Sequence, residues 1–288
     1  MTVWQAFVLG FLQGATEFIP VSSSGHLTLV PWLLNWQFDP LLKSAFDVLA
    51  HWGTLAAVLA VFWRDLWHIL LGGLRTLKGL WERDAKRTRM QRLAERIAHD
   101  EQGRLAWWIG IGSLPAAVLG ILLEGFFEML FGTPRAVSFL LLVTAGLLAF
   151  SEWKGRQGRG LSQLTWLDAL LIGLGQAVAI APGISRSGAT IATGLMRGVR
   201  REAAARFSFL LSAPVIIGAG VWQLKDLFAS SGWSASLGPL IVGFVVSWGT
   251  GYACIRFLLF FLRQNRLYVF ALYCALAGIT CLIVSFVW

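Results

Sequence analysis

Long apolar stretches alternate with short polar connections along most of the chain. Six of them carry almost no charge and approach the roughly 20 residues that a helix needs to cross a bilayer. They are residues 46–63, 105–123, 136–150, 207–224, 237–262 and 267–288. Two other apolar regions, residues 3–36 and 164–196, are interrupted by polar and Gly/Pro-rich sequence. The pattern predicts an all-α polytopic membrane protein with six transmembrane helices and two broken helical segments.

The composition supports this class and excludes others. Of the 288 residues, 57% are hydrophobic and 14% are charged, whereas about a quarter of the residues are charged in soluble domains. The net charge of +9 would suit a nucleic-acid-binding protein. The basic residues are spread between apolar spans rather than gathered on a soluble domain, so no nucleic-acid partner is expected. We expect a single integral membrane domain over residues 1–288.

Basic residues predict the orientation in the membrane. Nineteen of the 24 lysines and arginines lie in four connections, residues 64–104, 152–163, 197–206 and 263–266. Such connections face the cytoplasm, which places both termini on the periplasmic side. Within the first connection, a segment of about residues 75–104 spaces apolar residues helically among charges. It predicts a cytoplasmic amphipathic helix, with a partner-docking site as the alternative.

The two broken segments are expected to be re-entrant helical hairpins. With this orientation, the segment of residues 1–45 begins and ends outside, and that of residues 152–206 begins and ends inside. The hairpins also match at an offset of 163 residues. The identical pairs are Gly10 with Gly173, Gln13 with Gln176, Ser22 with Ser185, Ser24 with Ser187 and Gly25 with Gly188. This predicts an inverted-topology repeat, with repeat 1 at about 1–150 and repeat 2 at about 164–288.

The first hairpin carries polar groups that are costly inside a membrane. Gln13 and Glu17 are four residues apart and therefore share one face of a helix. Pro20 ends that helix, and a hydroxyl-rich turn follows, with the sequence Ser22, Ser23, Ser24, Gly25 and His26. An ionisable side chain such as Glu17 in a membrane segment indicates a functional site.

The second hairpin carries a basic counterpart. Its turn and the helix start after it contain Gly183, Ser185, Arg186, Ser187, Gly188 and Thr190. A Gly/Ser turn that opens a helix and includes a guanidinium is typical of an anion-binding site. No Gly-Lys-Ser/Thr follows the glycines, so the turn is not a Walker loop.

Together these groups predict phosphoryl transfer. The oxygens of Glu17 and Gln13 are suitable ligands for Mg²⁺ or Ca²⁺. Arg186 and backbone N–H groups would stabilise an anion. Ser23 or a water would be the nucleophile, with His26 as base or acid. Because the site lies at membrane depth, an amphiphilic phosphate ester is the expected substrate.

The two motifs resemble those of the bacterial undecaprenyl-diphosphatase family of the bacitracin-resistance type. Gln13-x-x-x-Glu17 leads into the Pro20 to His26 motif, and the Pro182 to Thr190 motif follows about 160 residues later. The resemblance covers essentially the whole chain. It implies hydrolysis of undecaprenyl diphosphate to undecaprenyl phosphate and phosphate, which recycles the lipid carrier for peptidoglycan synthesis. It also implies a divalent metal, a site open to the periplasm, and bacitracin resistance through competition for the substrate.

The resemblance also assigns roles to residues. Glu17 would bind metal or assist catalysis, and Ser23 and His26 would serve as nucleophile and proton-transfer group. Arg186 would hold the diphosphate together with Ser185, Ser187 and Thr190. The other turn residues, Ser22, Ser24, Gly25, Gly183 and Gly188, are expected to line the same site. Gln13 stands where the family has Glu or Gln, which weakens any mechanism based on two carboxylates.

The rival function is a lipid-phosphate transporter or flippase, because inverted repeats with broken helices are common among transporters. An asymmetry between the hairpins favours the enzyme. At the 163-residue offset, Glu17 and His26 correspond to the apolar Ile180 and Ala189. An enzyme needs a metal-and-base side and a phosphate-binding side, whereas a carrier could be more symmetric. The sequence sets no oligomeric state, and a homodimer is compatible with it.

Overall fold

The chain folds almost entirely into α-helices. The structure, a computed structural model, describes residues 1–81, 88–155, 158–229 and 237–287. The helices in the described part are α1 (Val3–Phe18), α2 (Ser23–Leu33), α3 (Pro40–Lys78), α4 (Arg89–His99), α5 (Glu101–Leu122), α6 (Glu124–Phe131), α7 (Pro134–Lys154), α8 (Trp166–Val178), α9 (Arg186–Met196), α10 (Arg201–Ala229), α11 (Leu237–Phe261) and α12 (Tyr268–Val287).

Six of these helices are long and apolar enough to cross a membrane, which confirms the predicted number of spans. They are α3, α5, α7, α10, α11 and α12. α3 has 39 residues, from Pro40 to Lys78, and is much longer than its predicted apolar stretch. Leucines, which have good helix propensity, continue the helix among the charged residues after residue 63. At Phe62 the backbone leaves helical geometry (φ −109°, ψ 18°), and α3 is kinked there.

The two broken segments form helix–turn–helix pairs, α1 with α2 and α8 with α9. Their helices have 11 to 16 residues, so they are about 17 to 24 Å long and shorter than the roughly 30 Å hydrocarbon core. The second helix of each pair begins with the same cap. Ser22 Oγ accepts from the Gly25 N–H at 3.2 Å, and Ser185 Oγ accepts from the Gly188 N–H at 3.0 Å. The re-entrant course of both pairs in a bilayer stays a prediction.

Equivalent glycines let the first helix of each pair pack closely on a span of the other half. A Cβ atom at Gly10 of α1 would lie 2.8 Å from the carbonyl oxygen of Gly243 in α11. A Cβ atom at Gly173 of α8 would lie 2.3 Å from the carbonyl oxygen of Gly112 in α5. Only a residue without a side chain permits such crossings. The shared role agrees with the repeat, although the inverted relation stays a prediction.

The predicted amphipathic segment of residues 75–104 is not one helix. It comprises the end of α3, the separate helix α4 and the start of α5, and residues 82–87 lie outside the described part. Asp100 separates α4 from α5, because its carboxylate accepts from the Gly103 N–H at 2.9 Å and caps α5. Burial would raise the pKa of Asp100, but the Gly103 N–H and the Arg75 guanidinium hold it below its ordinary value. Leu93 of α4 is buried, so the amphipathic character is retained.

Buried acidic side chains form ion pairs with arginines at the helix ends, on the face of the protein where the connections rich in basic residues lie. Asp168, at the start of α8, accepts from Arg159 at 2.5 Å and from Arg197 at 2.7 Å. Glu152, at the end of α7, accepts two hydrogen bonds from Arg201 at 2.6 Å each. Both acidic side chains are fully buried. These ion pairs fix the outer ends of the second helix pair relative to α7 and α10.

Candidate active site

The tips of the two helix pairs meet inside the protein. Arg186 Nη2, in the first turn of α9, donates to Glu17 Oε1, near the end of α1, at 2.7 Å. The two turns are also in close contact, because a Cβ atom at Gly25 would lie 3.4 Å from the Gly183 Cα. The structure therefore brings together the two motifs that sequence analysis singled out. They are about 160 residues apart in the chain.

Glu17 is the centre of this cluster. Its side chain is 6% exposed, and its second oxygen, Oε2, accepts from Ser23 Oγ at 2.5 Å and from Gln13 Nε2 at 3.1 Å. Gln13 and Glu17 thus share one helix face, as predicted. A carboxylate buried to this extent needs a compensating cation and hydrogen-bond donors, and the neighbouring side chains supply both.

Both ring nitrogens of His26 bond groups other than the Glu17 carboxylate. Its Nδ1 is 2.7 Å from the Ser22 carbonyl oxygen, and its Nε2 is 2.7 Å from the Tyr273 hydroxyl of α12. The group that receives the Ser23 hydroxyl hydrogen is therefore Glu17. A direct proton transfer between Ser23 and His26 stays a prediction from the sequence.

The first turn combines strain with partly accessible hydroxyls. Ser22 has a positive φ of 71°, a conformation that L-residues with a side chain rarely adopt. Its hydroxyl caps α2 and lies 3.3 Å from the Ser24 hydroxyl. Ser23 and Ser24 are half-buried, whereas Ser22 is buried. Ser22 shapes the turn, and the next two serines are the ones that a ligand can reach.

The second turn is held mainly from within the protein. Thr144 of α7 donates to the Gly183 carbonyl at 2.9 Å and accepts from the Ser185 N–H at 3.0 Å. Ser185 Oγ and Ser187 Oγ are 3.2 Å apart, and Thr190 lies 2.6 Å from the hydroxyl of Ser208. Ser185, Ser187 and Thr190 are all buried. In this structure they shape the turn around Arg186, and their contact with a substrate stays a prediction.

Two buried polar atoms of the site have no hydrogen-bond partner among the residues that the structure describes. They are Gln13 Oε1 and Arg186 Nη1, one acceptor and one donor on either side of Glu17. Buried polar atoms are rarely left unpaired in native proteins, so both atoms are available to a group that binds in the site. The acceptor suits a cation and the donor suits a phosphate oxygen. Among the described residues no group of three or more His, Cys, Asp or Glu side chains could hold a metal ion.

Sequence analysis missed Tyr273, Thr144 and Ser208. Each is a polar side chain in a span, and the only available signal was the presence of a hydroxyl among apolar residues. The predicted asymmetry between the hairpins is visible in the packing. Ala189 belongs to an apolar cluster, and Ile180 packs against it. The second pair therefore supplies the basic group without a matching acid or imidazole at these positions.

Comparison with known proteins agrees with the site. The family model described as "Bacitracin resistance protein BacA" matches residues 6–280. A protein of Pelotomaculum thermopropionicum named undecaprenyl-diphosphatase is 39% identical over 285 residues, which cover 99% of this chain and 97% of that protein. A protein of the same name from Thermomicrobium roseum is 42% identical over 295 residues, covering 99% of both chains. The chain belongs to the BacA family of bacitracin resistance proteins.

Proposed function

We propose that this protein hydrolyses undecaprenyl diphosphate to undecaprenyl phosphate and inorganic phosphate. The observation that carries the proposal is the pairing of Glu17 with Arg186, together with the unpartnered Arg186 Nη1 beside it. An acid and a guanidinium from opposite hairpins form one buried site with a donor left over for a phosphate oxygen. The two relatives named above are similar to this chain along their whole length, and both are named for hydrolysis of undecaprenyl diphosphate.

A divalent metal, Mg²⁺ or Ca²⁺, fits this donor set. Glu17 and the free Gln13 Oε1 provide one carboxylate and one amide oxygen. Mg²⁺ in phosphoryl-transfer sites is commonly bound by one or two carboxylates, waters and the phosphates of the substrate. When bound, the metal would neutralise charge on the diphosphate and orient it. Both residues assigned to it in the sequence analysis therefore keep that role in the proposal.

The remaining groups are placed for in-line displacement at the terminal phosphorus. Arg186 Nη1 binds an oxygen of the terminal phosphate and balances the charge that develops there. The Ser23 hydroxyl already donates to Glu17, so Glu17 can take its proton if Ser23 attacks. If water attacks, Ser23 and Glu17 orient that water instead. In both routes the bond from the terminal phosphorus to the bridging oxygen breaks, and undecaprenyl phosphate leaves. Attack by water gives inorganic phosphate directly, whereas attack by Ser23 gives a phosphoserine, which a water then hydrolyses to release phosphate and restore the hydroxyl.

The lipid tail has a suitable groove on the helix that carries Glu17. Val3, Trp4 and Phe7 of α1 and the valine-rich face of α11 line an apolar cavity of about 610 Å³. Phe7 precedes Glu17 by ten residues, or about 15 Å along the helix. The groove lies toward the N-terminal ends of α1 and α11, and it offers an apolar surface for part of a polyprenyl chain.

The protein acts in the bacterial inner membrane, with the site and both termini on the periplasmic side. The concentration of basic residues in four connections on the other face supports this orientation. The product re-enters peptidoglycan synthesis as lipid carrier. Bacitracin would compete for the lipid diphosphate, which connects the activity with the resistance named in the family description.

The test is phosphate release from undecaprenyl diphosphate by the purified protein in detergent, with Mg²⁺, Ca²⁺ or EDTA. We expect metal-dependent release by the wild type, because the Arg186 guanidinium is already paired with Glu17 and balances only part of the charge of a diphosphate. Glu17→Ala and Arg186→Ala should each lower the rate by about 10³-fold or more.

Arg256→Ala is the matched control, because Arg256 pairs with Tyr252 and does not contact the site. It should keep the wild-type rate. Hydrolysis that persists in EDTA would contradict the metal role. A folded, monodisperse wild type that releases no phosphate but binds the lipid would favour the transporter.

A further inference from the structure

Tyr273 of α12 makes a polar contact with the first turn that the proposed mechanism does not use. Its hydroxyl lies 2.7 Å from His26 Nε2, although the two residues are 247 positions apart. The two rings are stacked, with centroids 5.7 Å apart and planes inclined by 10°. The next residue, Cys274, directs its thiol to the Pro20 carbonyl at 3.8 Å. Two successive residues of α12 therefore contact the same catalytic turn.

The hydrogen bonds of His26 indicate which nitrogen carries the proton. Nδ1 faces the Ser22 carbonyl, which can only accept, so Nδ1 must be the donor. In a neutral imidazole Nε2 then has the lone pair, and the Tyr273 hydroxyl donates to it. Nε2 is thus the atom of His26 at which a proton can be taken up, and the phenol of Tyr273 occupies it in the resting state.

We propose that Tyr273 is a positioning residue that fixes the His26 ring and keeps its Nε2 unprotonated until substrate arrives. The inference rests on the proposed function: where water attacks, that water must lose a proton, and His26 Nε2 is assigned as the acceptor of that proton. A phenol is a better donor than acceptor, so its bond to Nε2 favours the neutral ring over the imidazolium. Proton uptake at Nε2 then follows release of the Tyr273 hydroxyl.

The other ionisable groups around His26 do not offer the same contact. Glu17 of α1 bonds Ser23, and Arg186 of α9 bonds Glu17. The remaining groups are Tyr268, Cys274 and Cys281 of α12, and Arg135, Glu152 and Lys154 near the ends of α7. Tyr273 is the described side chain that bonds Nε2 directly.

The experiment compares wild type, Tyr273→Phe and Tyr268→Phe by two measurements. The first is the pH profile of kcat for phosphate release. The second is ¹⁵N NMR of histidine-labelled protein, which has four histidines, with His26 assigned from a His26→Gln sample. Tyr268→Phe is the matched control, because it makes the same chemical change on the same helix.

For Tyr273→Phe we expect kcat to fall roughly 10-fold, part of the 10²–10⁴ that a general acid or base contributes. The acid limb of the kcat profile should shift to higher pH by about one unit. The reason is that the neutral His26 ring loses the hydrogen bond that the Tyr273 hydroxyl donates to it. The NMR midpoint of His26 should move in the same direction. Tyr268→Phe should change neither measurement.

A double variant separates positioning from a structural role. If Tyr273 acts through His26, Tyr273→Phe should cause no further loss in a His26→Gln background. An unchanged pH profile and unchanged His26 resonances in Tyr273→Phe would overturn the inference. If the wild type released no phosphate while the His26 resonances still responded, the proposed function would be wrong and the Tyr273 contact would stand.

Discussion

Arg186 uses its two terminal nitrogens for different purposes. Nη2 bonds Glu17 across the interface of the hairpins, while the buried Nη1 has no hydrogen-bond partner within the described part of the chain. A planar guanidinium can thus hold the acid and a phosphate oxygen at once. An ammonium is a single point charge and must favour one of them.

Arg186→Lys is therefore expected to recover little of the activity lost in Arg186→Ala. We predict a rate within about 10-fold of that of the alanine variant, because a lysine at this position would pair with Glu17 and leave the phosphate unbound. Steady-state phosphate release by the two variants and the wild type measures this. A rate for Arg186→Lys close to that of the wild type would show that a positive charge is sufficient and that the two terminal nitrogens of the guanidinium are not needed.

At the scale of residues, the sequence indicated the site because ionisable side chains stand out in apolar segments. Glu17 and Arg186 are such residues, and the structure pairs them. Their detailed partners could not be predicted. Ser23 bonds Glu17 through the shape of the turn that follows α1, and His26 bonds Tyr273 because α12 packs against that turn. No local pattern encodes a contact between residues 247 positions apart.

At the scale of elements, the close crossing of α8 and α5 depends on two glycines. A side chain at Gly173 would collide with the backbone of Gly112, and a backbone carbonyl cannot move aside as a flexible side chain can. The helices would have to separate, which would displace the second hairpin that carries Arg186.

Gly173→Val should therefore destabilise the protein by roughly 2 kcal/mol or more. We expect a lower Tm in detergent and a reduced rate of phosphate release. The control is Gly110→Val, on α5, where an added Cβ meets nothing within 4 Å. Equal melting temperatures for Gly173→Val and wild type would mean that the crossing tolerates wider spacing.

Helix number was predictable and helix ends were less so. Apolar length determines whether a helix can cross a bilayer, and all six predicted spans are present. The ends depend on local capping and on packing outside the membrane. Asp100 stops the amphipathic segment from forming one helix, and α3 continues well beyond its apolar part.

At the scale of the whole molecule, orientation is the main prediction still to be tested. Thr2 and Met90 are suitable reporters, because Met90 is exposed on α4 and Thr2 precedes α1. The three native cysteines, Cys254, Cys274 and Cys281, would first be replaced. A cysteine at either reporter position can then be labelled with a membrane-impermeant maleimide.

In cells with a permeabilised outer membrane, Thr2→Cys should be labelled and Met90→Cys should be protected until the inner membrane is lysed. The reason is the concentration of basic residues on the side of α4. The opposite labelling pattern would place the site on the cytoplasmic side and contradict the proposed recycling at the periplasmic face.

The ion pair between Glu17 and Arg186 also has a consequence for biosynthesis. Each half of the chain contributes one partner, so neither half can cleave a diphosphate before the other has inserted. A second half inserted upside down would carry Arg186 away from Glu17 and leave an inert protein. Activity thus appears only after correct insertion of both halves, and an incompletely assembled chain cannot hydrolyse the lipid diphosphate on the wrong side of the membrane.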